Sequence, residues 1–134
     1  MFPNEMAAIN PAELVAAFLT AYYQRFDQDV ETRTTLYQLY DETALLKYEG
    51  QDITTRQGIA DKYKSLPFQS CQHKITSYDH FLLGDTVLIC VFGQLLADQD
   101  APFSFAETFI TKFSPENSSL MIFLHNFRLI LHSA

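Results

Sequence analysis

Four long extended runs, Gln69 to Leu83, Thr86 to Ala97, Phe103 to Phe113 and Leu120 to His132, fill the second half of this chain. The links between them are Gly84-Asp85, Gln99 to Pro102 and Ser114 to Ser119. Links this short cannot carry a crossover, so neighbouring runs must pair antiparallel. In Thr86 to Ala97, the side chains of Val87, Ile89, Val91, Leu95 and Ala97 alternate with Leu88, Cys90, Phe92 and Leu96. Both faces are apolar, so both need cover. In the third run Phe103, Phe105, Phe109 and Phe113 share a face, and in the fourth Leu120, Ile122 and Leu124 oppose Met121, Phe123 and Phe127.

The first half reads as helical. Asn10 suits an N-cap, Pro11 the first helical position and Glu13 the acid of a capping box. Leu14, Phe18, Tyr22 and Phe26 then recur at four-residue spacing, widened by Val15 and Leu19, and the acids at Asp27 and Asp29 end the pattern. A shorter helix is expected from Glu31 to Tyr40, strands at Ala44 to Glu49 and Ile53 to Thr55, and a third helix from Gln57 to Leu66, stopped by Pro67. The order gives an α+β domain, with three helices packed on one face of a strongly curved, mostly antiparallel sheet. The other face stays apolar and exposed, which predicts a homodimer through the sheet.

At 134 residues, positions 1–134 form one domain. A net charge of -7 with nine Lys and Arg argues against nucleic acid and against an anionic membrane surface, and favours a partner presenting Lys or Arg. The N-terminal residues show no secretory pattern and no run is long enough to span a membrane, so the chain reads as soluble and intracellular. Cys71 and Cys90 allow one disulfide, with two buried thiols the plainer reading.

Candidate chemistry is sparse. Asp98 and Asp100 would share a strand face about 7 Å apart if the extended run continues through them. An EF-hand loop beginning at Asp98 would need Gly and Glu where Phe103 and Phe109 stand. His73, His80, His125 and His132 have no zinc-type spacing, Cys71-Gln72-His73 alone is weak, and His73 reads as a core histidine. No nucleophile elbow or phosphate-cradling loop is present. The residues therefore predict no catalytic group, no metal and no cofactor.

Several blocks, in order, carry a resemblance: Phe18 with Ala21-Tyr22-Tyr23-Gln24-Arg25-Phe26-Asp27; Tyr48-Glu49-Gly50; Gln57-Gly58; Ser65-Leu66-Pro67-Phe68-Gln69 with Gln72-His73; Gly93-Gln94-Leu95 with Ala97-Asp98-Gln99-Asp100; and Asn126-Phe127-Arg128-Leu129. Running from Phe18 to Leu131, this pattern resembles the nuclear transport factor 2 family. The resemblance implies a homodimeric cone with a hydrophobic cavity. It implies a carrier that binds the GDP form of the small GTPase Ran and the Phe-x-Phe-Gly repeats of nucleoporins, working in the cytoplasm, in the nucleus and at the nuclear pore. In that family an aromatic side chain of Ran enters the cavity while rim acids pair with its cations. The matching rim acids are Glu49, Asp98 and Asp100, and the matching wall residues are Tyr48, Leu66, Cys71, Phe103 and Phe127.

Two positions depart from the family pattern. Tyr48 stands where Trp is common, and Pro11 where an aromatic residue helps form the nucleoporin site, with Phe2 and Met6 the nearby replacements. The alternatives are an isomerase- or dehydratase-type enzyme of the same fold, with His73 and Tyr48 as its nominal players, and a scaffold domain of an mRNA-export or stress-granule protein.

Overall fold

The computed structural model describes residues 10–130. Helix α1 (Pro11–Gln28) starts as its sequence dictates: the Asn10 side chain accepts a hydrogen bond from the Ala12 N–H at 2.9 Å, with Pro11 at the first position. The stripe read from the sequence is buried along α1, and Tyr23 is buried beside it. Asp29 then turns extended and caps the next helix, accepting from the Thr32 N–H at 2.6 Å.

That next helix is shorter than expected. Helix α2 covers Val30–Thr34, a 3-10 turn follows over Thr35–Leu39, and Tyr40 opens a strand. The threonines explain the break. The hydroxyls of Thr34 and Thr35 donate back to the carbonyls of Val30 and Thr32, offering the backbone a competing partner where helix propensity is already low. Helix α3 (Arg56–Ser65) begins at Thr55, whose hydroxyl accepts from the Gly58 N–H at 3.0 Å. It ends before Leu66, which is extended because Pro67 follows.

The strands are β1 (Tyr40–Tyr48), β2 (Gln51–Thr54), β3 (Cys71–Leu83), β4 (Thr86–Ala97), β5 (Phe103–Ser114) and β6 (Ser119–Ile130). They form one sheet in the order β2-β1-β6-β5-β4-β3. All neighbours are antiparallel except β1 and β6, which run parallel, so the sheet is mixed. The expected continuation of the last strand to His132, and the proposed roles of Phe2 and Met6, fall outside the described residues.

Two bulges interrupt the antiparallel part of the sheet. One lies between Ile75 and Ser77 of β3, opposite Gly93, where an added Cβ would sit 2.4 Å from the Lys74 carbonyl. Only glycine fits that approach. The second lies in β6 and corrects the sequence reading. Ile110 pairs Leu124 and Thr111 pairs Ile122, so Phe123 is the extra residue. The alternation flips there: Leu120 and Ile122 face the core, Leu124 turns out to 45% exposure, and His125 and Phe127 turn in. Along β4, Val87, Ile89, Val91, Leu95 and Ala97 are all buried beneath the helices.

Candidate binding site at one end of the sheet

Strand direction gathers the candidate residues. The parallel pair β1 and β6 brings Tyr48 opposite Phe127. Strand β5 starts at this end with Phe103, paired to Leu95, and β4 finishes here with Ala97, paired to Cys71 at the start of β3. Helix α3 delivers Leu66 just beyond its last turn. All eight residues named from the resemblance thus come from the same end of the sheet or from the loops leaving it.

The Tyr48 ring stacks on Phe127 at 4.8 Å, and Phe127 on Phe105 at 5.8 Å, giving an aromatic wall. The Lys62 ammonium stands 5.0 Å from the centre of the Tyr48 ring. Burial, with Glu107 and Glu49 adding to it, pushes the Tyr48 phenol well above its ordinary value and keeps it neutral. Leu66, Cys71 and Phe127 are buried, at 8%, 9% and 3% exposure, while Tyr48 is half-buried and Phe103 exposed.

The acids are exposed but not loose. Glu49 sits in the left-handed region with φ 51°, its N–H donating to the Phe127 carbonyl at 3.0 Å and its carboxylate accepting the Leu129 N–H. Strand β4 stops at Ala97, and the Asp100 N–H returns to the Ala97 carbonyl at 3.0 Å. Asp98 also adopts φ 51°, and its Oδ1 accepts the N–H groups of Gln69 and Ser70 at 3.1 and 3.0 Å. The strand does not continue through the acids, so the geometry that would have put Asp98 and Asp100 on one strand face is absent. Asp98 instead clips the loop ahead of β3.

Sequence reasoning passed over a polar array in the core. Glu107 accepts from the Tyr23 hydroxyl and His125 Nε2, both at 2.6 Å. His125 Nδ1 lies 2.7 Å from the Tyr40 hydroxyl, which meets the Tyr63 hydroxyl, itself 2.8 Å from that of Tyr22. A proton on His125 Nε2 and none on Nδ1 lets every contact pair a donor with an acceptor. Burial drives the phenols of Tyr22, Tyr23, Tyr40 and Tyr63 far above their usual value. Among the described residues no buried side-chain nitrogen or oxygen lacks a partner, so this array braces the core and offers no free base. Alternation with Phe105 and Phe109 was the signal that Glu107 points inward.

Arg33 was also missed. It is 1% exposed, donates to the carbonyls of Tyr63 and Phe68 at 3.1 and 3.2 Å, and stands over the rings of Phe26 and Phe68. A third group draws in Asp27 from α1. Its Oδ1 lies 2.6 Å from His73 Nδ1 and 3.3 Å from Cys71 Sγ. Among the described residues this is the group of carboxylate, thiol and imidazole able to hold a metal ion. Both cysteines are free.

Residues 14–129 match the Nuclear transport factor 2 (NTF2) domain family, and the chain belongs to it. Nuclear transport factor 2B of Arabidopsis thaliana is 35% identical over 127 residues, 92% of this chain and 98% of that protein. Nuclear transport factor 2 of Schizosaccharomyces pombe is 39% identical over 89 residues, 65% of this chain and 70% of that protein. Among solved structures, nuclear transport factor 2 from Cryptosporidium parvum superposes with a TM-score of 0.82 at 30% identity, covering 90% of this chain and 97% of that one. The relatives are transport factors rather than enzymes, and they support a role for this chain in nuclear transport.

Proposed function

We propose that this chain is a nuclear import carrier that binds the GDP form of the GTPase Ran through the end of the sheet just described. It would also engage Phe-x-Phe-Gly repeats at the nuclear pore and shuttle between cytoplasm and nucleus. The observation that carries the reading is the aromatic stack of Tyr48 on Phe127, set between the loop holding Glu49 and the loop holding Asp98 and Asp100. A partner's ring packing against this aromatic stack gains about 1.5–3 kcal/mol from burial, enough to anchor it. Lys and Arg on the partner then fix its register against the acids.

Two substitutions isolate the charges. Glu49→Gln and Asp98→Asn keep a side-chain oxygen for the Leu129, Gln69 and Ser70 N–H groups while removing the negative charge. Asn is also at home in the left-handed conformation of Asp98. Calorimetry against Ran loaded with GDP and then GTP should show binding of the GDP form alone. Each variant should bind at least about thirtyfold more weakly, the equivalent of about 2 kcal/mol for stripping one partner from a charge pair. Undiminished affinity in both variants refutes the reading.

A further inference from the structure

The cluster of Asp27, Cys71 and His73 is built for more than holding α1 to β3. One ligand atom from each residue lies within 4.8 Å of the others, and all three converge near Asp27 Oδ1. The surroundings are well defined. The His73 side chain is 1% exposed, with its ring against Phe26, Tyr23 and Phe105 at 4.5, 4.7 and 5.4 Å. Asp27 is held by its second oxygen, which accepts the His73 backbone N–H at 2.8 Å. The Asp27 side chain is 23% exposed and borders a groove of about 680 Å³ between α1 and β3, together with Gln24, Gln28 and Gln72.

From this placement the geometry points to a binding site for a divalent ion of the zinc class, with thiolate, imidazole and carboxylate as protein ligands and a fourth position left to water. Sulfur, nitrogen and oxygen donors together suit zinc better than magnesium or calcium, which prefer oxygen alone. Tetrahedral zinc places its ligand atoms about 3.3–3.6 Å apart. The sulfur–oxygen separation of 3.3 Å already meets this, and the nitrogen–oxygen pair at 2.6 Å must open by less than about 1 Å. Ionised Asp27, the Cys71 thiolate and neutral His73 sum to two negative charges, which the ion cancels. Of the three residues, Asp27 borders the groove, which gives an arriving ion a path to its carboxylate.

The charge balance shows why the ion-free protein makes hydrogen bonds here instead. Burial first, and then the Asp27 carboxylate, pushes the Cys71 thiol up to about 12, against an opposing pull from Arg33. On binding, the thiol proton leaves to buffer as the metal–sulfur bond forms, and His73 must present Nδ1 as a free lone pair with its ring proton on Nε2.

The test uses the whole reduced chain and the ion alone, so it stands or falls separately from the Ran reading. Co2+ should bind once per chain and give the intense visible bands of a tetrahedral site, together with thiolate-to-cobalt charge transfer, and Zn2+ should displace it. Cys71→Ala should remove the charge-transfer band and weaken Zn2+ binding at least tenfold, while Cys90→Ala leaves both unchanged. If Cys71→Ala does not fold, Cys71→Ser carries the same expectation. The assignment is overturned if the native chain shows no charge-transfer band, if the band survives in the Cys71 variant, or if it is lost with Cys90.

Discussion

Glu107 shows how much one buried side chain can organise. At 2% exposure it receives hydrogen bonds from Tyr23 and His125, with Tyr22 at 3.4 Å, and so joins α1 to β5 and β6. Glu107→Gln keeps the shape but turns an amide N–H2 toward groups that must donate. Urea denaturation should show a loss of about 1–3 kcal/mol with an unchanged m-value, the cost of leaving a buried donor unpaired. The sequence pattern held this residue in view, on the same side of its strand as Phe105 and Phe109, yet an acid among phenylalanines does not announce its partners. Asp27 was out of reach altogether, because its cluster with Cys71 and His73 spans more than forty positions of sequence. Spacing rules see ligands only when they are near neighbours in the chain.

Among the elements, the ones with the strongest periodicity were the most legible. The ends of β4 coincide with the expected Thr86 and Ala97, and of its two apolar faces the one carrying Val87, Ile89, Val91, Leu95 and Ala97 is buried throughout. The second helix was misjudged because apolar spacing at Leu36, Leu39 and Tyr40 outvoted a run of threonines whose hydroxyls compete for the helix carbonyls. The face of Leu124 was misassigned because a bulge leaves no mark in a single sequence. The tyrosines that these elements contribute make a shared prediction. The phenols of Tyr22, Tyr23, Tyr40 and Tyr63 titrate far higher folded than unfolded. Groups raised by folding stabilise the protein fully below their unfolded value, about 10, and that stability drains away as pH climbs beyond it. The expected slope is up to about 1.4 kcal/mol per pH unit for each phenol. Spectroscopic titration should show these four ionising together at a cooperative alkaline unfolding.

For the molecule as a whole, the uncovered side of the sheet is the dominant surface feature. Phe92 and Leu124 are each 45% exposed there, Leu88, Cys90 and Ile110 lie half-buried beside them, and Leu45, Thr108, Ile110 and Leu124 border a hollow of about 220 Å³. A second copy covers such a face in the arrangement expected from the sequence. Sedimentation equilibrium should then give twice the 15.4 kDa chain mass for the native protein and the single-chain mass for Leu124→Glu. A native chain that sediments at the single mass would end that assignment. The fold class and the α+β order were readable because amphipathic spacing reports which side of an element is covered. The candidate site residues came only through the resemblance, since they are scattered along the chain and gathered by strand direction.

The parallel pairing of β1 with β6 also bears on how the molecule is made. During synthesis β1 emerges early and can join only β2, leaving its other edge without a neighbour until Ser119–Ile130 has cleared the ribosome. The aromatic stack between Tyr48 and Phe127 cannot assemble before that moment. The candidate binding surface is thus withheld from the nascent chain and forms only once β6 joins the sheet.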